Sequence, residues 1–267
     1  MTDARRSDRE RFGMSFELLR LESDVRVSTL TLARPELLNA MSYEAVLELN
    51  RAVEAVRDDA AVRLLLIRGE GRAFCTGIDL KQLSAGQTPH AYYEQWERAL
   101  RMLERLEVFV VCAMHGYALG GGLQLALASD IRVATEDCVL GLPAIQESII
   151  PGLATLRLPR FVGLGRAKHL MLSGETIDGK RGREIGLVDH LVRAESFDED
   201  VGELVQKYLR SCSEGARQTK ALLALAGDLP HAAFFEEYLR RQAIALASPD
   251  HEEALTAYLE KRQPDWF

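Results

Sequence analysis

The stretch His115-Gly116-Tyr117-Ala118-Leu119-Gly120-Gly121-Gly122-Leu123-Gln124-Leu125-Ala126-Leu127-Ala128-Ser129-Asp130-Ile131-Arg132-Val133-Ala134 decides how this chain folds. It follows directly on an apolar run, 108–114, that reads as a buried strand. It then passes through a glycine cluster into an apolar helix at about 122–128 and a further strand at 131–134. Three consecutive glycines at a helix start leave backbone N–H groups exposed and let a ligand approach the main chain closely. The same helix end favours developing negative charge. A second cluster, Cys75-Thr76-Gly77-Ile78-Asp79-Leu80, lies seven residues beyond another buried run, 62–68. Both clusters fall where a β/α sheet opens at the carboxyl ends of its strands, the usual place for a ligand crevice. Two such loops together are able to offer two N–H donors to one oxygen, which is an oxyanion hole. Glycines after strands also serve simply to turn the chain, and motifs this short do not decide between the two uses.

Outward from these clusters the pattern alternates. Segments 16–21 and 25–33 predict a hairpin about the turn Glu22-Ser23-Asp24. Ser42 reads as the N-cap of a helix over 43–57, with Ala45, Val46, Leu49, Val53 and Val56 on its core face. A helix is expected at 90–106 and a short strand at 138–142. Beyond 153 the pattern is mostly helical, at about 154–162, 165–172 and 180–185. After a strand at 187–192 come helices at about 198–211, 214–226, 232–247 and 249–261. No linker or fixed-period repeat is evident. Strands joined by helices imply parallel pairing and right-handed crossovers.

The chain has 267 residues, 47% of them hydrophobic and 27% charged, an ordinary globular composition for one large or two small domains. Its formal charge of -7 argues against broad nucleic-acid binding, while leaving room for a local basic pocket that takes an anionic ligand. Cys75, Cys112, Cys138 and Cys212 are widely spaced, and the six histidines lack metal-ligand spacing, so neither a disulfide framework nor a metal site is expected. Residues 1–13 are charged, lack the apolar segment of a signal peptide and are expected to form a mobile leader. No run is long and apolar enough to span a membrane, and the expected location is cytoplasmic. Residues 174–181 (GETIDGKR) nearly match a phosphate loop. Arg181 stands where a Ser or Thr is required, so the segment reads as a helix–turn–helix joint.

The chain resembles the enoyl-CoA hydratase/isomerase (crotonase) superfamily. The resemblance rests on RPELLNAM (34–41), GRAFCTGIDLKQL (71–83), the opening stretch, IIPGLATLRLPRFVGLGRAKHLMLSGE (149–175), IGLVDHLV (185–192) and LEKRQPDWF (259–267). It implies an α/β spiral of ββα repeats over 14–195 and a helical trimerisation region over 196–267. It implies a homotrimer or dimer of trimers, an acyl-CoA thioester ligand and no cofactor beyond the coenzyme A of the substrate. By this resemblance the oxyanion hole maps onto the N–H groups of Ile78 and Gly121. Leu37, Leu38, Ala40, Cys75, Gly77, Asp79, Leu80 and Gly120 would line the CoA groove. Lys261, with Arg262, would serve a phosphate from a neighbouring subunit. Glu36 stands where relatives often carry a Lys.

The sequence departs from the family pattern at two places. Hydratases of the family use two glutamates, and here those positions hold Gln124 and Ala144. Paired carboxylates can activate water and deliver a proton, whereas an amide only donates and accepts hydrogen bonds. Glu147, three residues beyond Ala144, is the candidate for a displaced acid/base, against the alternative of a solvated or interface carboxylate. Some relatives carry an Asp at the position of Gly152. His115 reads as a packed or capping group, Cys75 as a packing residue and Asp130 as structural. Tyr92, Tyr93 and Trp96 read as pocket wall. Two functions therefore stand: an enzyme that stabilises an enolate of an acyl-CoA by a route other than standard hydration, and a non-catalytic acyl-CoA-binding protein.

Overall fold

A computed structural model describes residues 15–266. The expected leader at 1–13 lies outside the described residues. A hairpin opens the fold, β1 (Leu19–Ser23) antiparallel to β2 (Val27–Leu32). The first strand starts three residues later than the sequence pattern suggested. It also absorbs Glu22 and Ser23, so the turn is made by 24–26. The helix α1 (Tyr43–Asp58) is capped as expected, with the Ser42 hydroxyl accepting the Ala45 N–H. Its apolar face buries Ala45, Val46, Leu49, Ala52, Val53 and Val56. Glu48, on the same helix, accepts the N–H groups of Glu17 and Leu18 and so pins the chain ahead of β1.

Then follow β3 (Leu64–Gly69), the short α2 (Leu80–Ser84), α3 (Ala91–Arg105), β4 (Phe109–Met114), β5 (Tyr117–Leu119), α4 (Gly121–Leu127), β6 (Ile131–Thr135) and β7 (Val139–Gly141). After these come α5 (Ala154–Val162), α6 (Leu164–Ser173), β8 (Thr176–Ile177), α7 (Gly179–Glu184), β9 (His190–Val192) and α8 (Phe197–Leu209). The last helices are α9 (Glu214–Leu223), α10 (His231–Leu246) and α11 (Pro249–Glu260). Six strands form one sheet in the order β1-β2-β3-β4-β6-β9, parallel from β2 onward. A smaller sheet has the order β5-β7-β8.

Three elements escape the sequence pattern. α2, β5 and β8 have five, three and two residues, too few for a period to register. The joint expected at 174–181 therefore contains strand β8. Asp178 then caps α7 by accepting the Arg181 N–H at 2.7 Å. The strand expected at 187–192 begins only at His190.

The large sheet is covered on both faces, which accounts for the nearly unbroken apolar reading of β3 and β4. One face packs Leu65, Ile67, Val110 and Cys112 into the main core beneath α1 and α3. The other packs Leu64, Leu66, Val111 and Ala113 against Val201 and Val205 of α8, the helix that follows the expected division at 195/196. Asp130 is structural, accepting the Val110 N–H and the Lys220 ammonium, both at 2.7 Å. Lys220 also donates to the Val108 carbonyl and so ties α9 to the sheet.

A buried clamp joins α5 to α3. Arg157, 4% exposed, donates to both carboxylate oxygens of Glu97 and of Glu104 at 2.6–2.9 Å. Burial alone would lower its pKa, but the hydrogen bonds and charges of the two glutamates outweigh burial and raise it. Removing the cation leaves two carboxylates facing each other. They keep some water contact, so Arg157→Met is expected to cost about 2–3 kcal/mol, below the ~3–5 of a fully buried pair. In a domain of this size that is a fall in Tm of about 5–10 °C by calorimetry. An unchanged Tm would show the clamp to be energetically idle.

Candidate active site

The site is assembled from three loops at the carboxyl ends of the parallel strands. The loop after β2 is held by Asn39, whose side chain accepts the Arg34 N–H and donates to the carbonyls of Glu70 and Ala73. Leu38 and Asn39 both adopt left-handed backbone, at φ 52° and 57°. For Leu this is a strained state costing about 1–3 kcal/mol, and these side-chain bonds hold it. The loop after β3 is tied to the first by Met41 N–H to Gly77 O (2.7 Å) and Asp79 N–H to Met41 O (3.1 Å). It is tied to β5 by Cys75 N–H to Tyr117 O and Leu119 N–H to Cys75 O, both 2.9 Å. Gly120 N–H then reaches Gly141 O of β7 at 2.9 Å. The short strand β5, invisible in the sequence, is thus what registers the two glycine loops against each other.

These ties bring backbone against backbone. A Cβ on Gly77 would lie 2.7 Å from the Gly121 nitrogen, and Gly77 has φ +91°. A Cβ on Gly122 would lie 2.2 Å from the Cys75 oxygen. Only glycine permits this approach. Among the described residues, neither the Ile78 N–H nor the Gly121 N–H has a protein acceptor. Gly121 is the first residue of α4, where an N–H has no intrahelical partner. Two unpartnered amides on apposed loops are the donor set of an oxyanion hole.

A cavity of about 420 Å³ opens on this pair. Of the residues expected in the site, it is lined by Leu37, Ala40, Ile78, Asp79, Leu80, Gly120, Gly121, Gln124, Ala144 and Glu147. Leu38, Cys75 and Gly77 do not line it, and each has a supporting role instead. The Leu38 carbonyl accepts from Thr76 N–H and hydroxyl, and the Cys75 thiol donates to the Asn39 carbonyl. Burial pushes the Cys75 thiol up to about 12, so it stays a neutral packing group. Lys261 ends α11 and does not line this chain's cavity either. Arg262 is engaged by Glu253 and Glu260 within this chain. Asp79 lines the cavity, but its carboxylate is committed to Arg34 and to the N–H groups of Lys81 and Gln82.

Trp96 and Tyr92 stack on α3 with ring centroids 6.5 Å apart and planes 8° from parallel, forming one wall. The Trp96 indole N–H donates to Gln124 Oε1 at 3.2 Å. Ala144 and Glu147 stand on a 3₁₀ turn, Pro143–Glu147, with Ala144 buried and Glu147 exposed at the cavity edge. His115 is a packed group, its Nε2 paired with the Gly71 carbonyl and its ring against Phe197. Sequence reasoning passed over Lys81, two residues beyond Asp79. It lines the cavity and has no ion-pair partner among the described residues. Its position within GIDLKQL was the available signal. Among the described residues, no three His, Cys, Asp or Glu side chains group as a metal site, and no helix is long and apolar enough to cross a membrane.

The chain is similar to known proteins over nearly its whole length. Residues 22–267 match the family model for enoyl-CoA hydratase/isomerase. A Bacillus subtilis protein described as "Probable enoyl-CoA hydratase" is 36% identical over 257 residues, 92% of this chain and 97% of that protein. The crotonyl-CoA hydratase of Syntrophomonas wolfei is 33% identical over 261 residues, 95% of this chain and 99% of that protein. The crystal structure of enoyl-CoA hydratase from Bacillus anthracis superimposes with a TM-score of 0.87 at 30% identity, covering 94% of this chain and 99% of the other.

Proposed function

Because the chain belongs to the enoyl-CoA hydratase/isomerase family, we propose that it acts on an acyl-CoA thioester whose carbonyl oxygen sits between the N–H groups of Ile78 and Gly121. The unpartnered amides of these two residues, facing one cavity, are the observation that carries this reading. Negative charge that develops on the oxygen as an enolate forms is met by two fixed dipoles and a helix N-terminus. Leu37, Ala40 and Leu80 line the same cavity, and in this reading Lys81 supplies a cation for the anionic end of coenzyme A.

The reaction we infer is not standard hydration. Gln124 cannot remove a proton from water, and Ala144 offers no group at all. Glu147 is the uncommitted carboxylate of the cavity and serves as the acid/base in this reading. The same two replacements favour a second reading, a non-catalytic acyl-CoA-binding protein. A panel of 2-enoyl-, 3-enoyl-, malonyl- and aryl-acyl-CoAs followed by mass spectrometry separates the two. Turnover of any thioester sinks the binding-only reading; tight binding without turnover across the panel sinks the enzyme.

The assembly we propose is a homotrimer or dimer of trimers. α10 buries no residue within the chain. It leaves Phe235, Leu239 and Leu246 about half exposed, and α11 leaves Tyr258 and Leu259 about four-fifths exposed. Large apolar side chains left exposed on two successive helices are what a protein interface would cover. Light scattering is expected to give three or six times the 29.8 kDa chain mass; a strict monomer contradicts it.

A further inference from the structure

The cavity carries two polar side chains with uncommitted donors. Trp96 Nε1–H can only donate, so the Gln124 oxygen faces it and is occupied. The Gln124 amide nitrogen has no partner among the described residues, nor is it among the sealed, orphaned polar atoms, so it meets the cavity. Tyr92 is 4% exposed, lines the same cavity, and its hydroxyl likewise lacks a protein partner. Burial foremost, with Cys75, Tyr93 and Asp79 around it, raises the phenol pKa, so the group remains O–H. Gln124 stands three residues beyond Gly121 on α4, on the same face and about one turn from the hole. A thioester oxygen fixed at Gly121 therefore puts the acyl atoms beyond the α-carbon beside the Gln124 amide. The surrounding wall is apolar, formed by Trp96, Ala144, Ile149 and Ile150.

We propose that this pocket selects an acyl group whose second carbonyl is separated from the thioester carbonyl by one carbon, a 1,3-dicarbonyl thioester, held by Gln124 Nε2–H and Tyr92 O–H. The proposal rests on the thioester reading above and adds the class of acyl group. A pocket that presents donors and keeps its acceptor occupied leaves those donors unpaired against a plain alkyl chain, and so rejects it. A malonyl-type carboxylate and a 3-oxoacyl ketone offer the same acceptor, and Glu147 at the rim disfavours the charged one.

The test is calorimetric titration of the full-length protein with malonyl-CoA, 3-oxobutyryl-CoA, butyryl-CoA and free CoA. At least one dicarbonyl thioester is expected to bind about 10-fold or more tightly than butyryl-CoA, as for one added hydrogen bond of good geometry. Tyr92→Phe, which keeps the ring stack, is expected to reduce that preference about 5- to 10-fold. Gln124→Glu keeps the acceptor for Trp96 but replaces the free donor by a carboxylate, and is expected to push malonyl-CoA below butyryl-CoA. Butyryl-CoA binding as tightly as both dicarbonyl esters overturns this proposal while the thioester reading stands. A preference that survives both substitutions overturns the assignment to Tyr92 and Gln124. No binding of any thioester overturns the thioester reading and this proposal together.

Discussion

Placing a carboxylate at both altered positions, as Gln124→Glu with Ala144→Glu, is expected to raise crotonyl-CoA hydration by about 10²–10⁴-fold over the unaltered chain, the range of general acid–base catalysis. The scaffold is ready to receive them. The Trp96 indole N–H that now donates to Gln124 Oε1 would donate equally to a carboxylate oxygen and hold it in place. Ala144 lines the cavity from the 3₁₀ turn, so a longer side chain has open space ahead of it. The single changes are expected to give far less than the pair, because groups that act as a unit are not additive. Loss of enoyl-thioester absorbance reads the rate. No gain from the pair would show that the shape of the acyl pocket, beyond these two side chains, excludes water delivery.

The second large effect concerns the hole. Gly121→Pro removes one of the two donors at the first position of a helix, where proline's fixed φ is tolerated and no intrahelical bond is lost. Any thioester turnover is expected to fall by about 10²–10³-fold, as for loss of one oxyanion donor. The proline ring enters the space where the oxygen would sit, so affinity for acyl-CoA falls as well. Circular dichroism and Tm are the controls, since a Cβ at 121 lies 3.2 Å from both the Gly77 Cα and Trp96 Cζ2. Full turnover by a folded Gly121→Pro protein would remove Gly121 from the hole.

Much of this was legible in the chain itself. The two glycine loops could be found because glycine marks close backbone approach, and each follows an apolar run that only a doubly covered strand tolerates. The cap at Ser42 and the core face of α1 followed from spacing alone. What sequence could not show was how the loops meet. That depends on β5, three residues long and unremarkable in composition. The loop-holding contacts of Leu38 and Cys75 were hidden in the sequence for a related reason. Both stand in the loops that form the site, yet their contacts turn inward to hold those loops, and direction is a tertiary property. Lys81 was overlooked because a lone lysine after a helix cap resembles any solvated surface charge.

The hole we propose is built wholly from main chain, and this shapes what mutation can do to the protein over time. Replacing the half-buried Ile78 side chain by another of similar size leaves its N–H where it is. The side chains at 92, 124, 144 and 147 line the same cavity without supplying either donor. The two donors therefore sit in atoms that a codon change scarcely touches, while the acid/base groups sit in atoms that single substitutions rewrite. Such a division makes the scaffold readily retuned to new acyl groups, at the cost that its glycines at 77 and 122 tolerate almost no replacement.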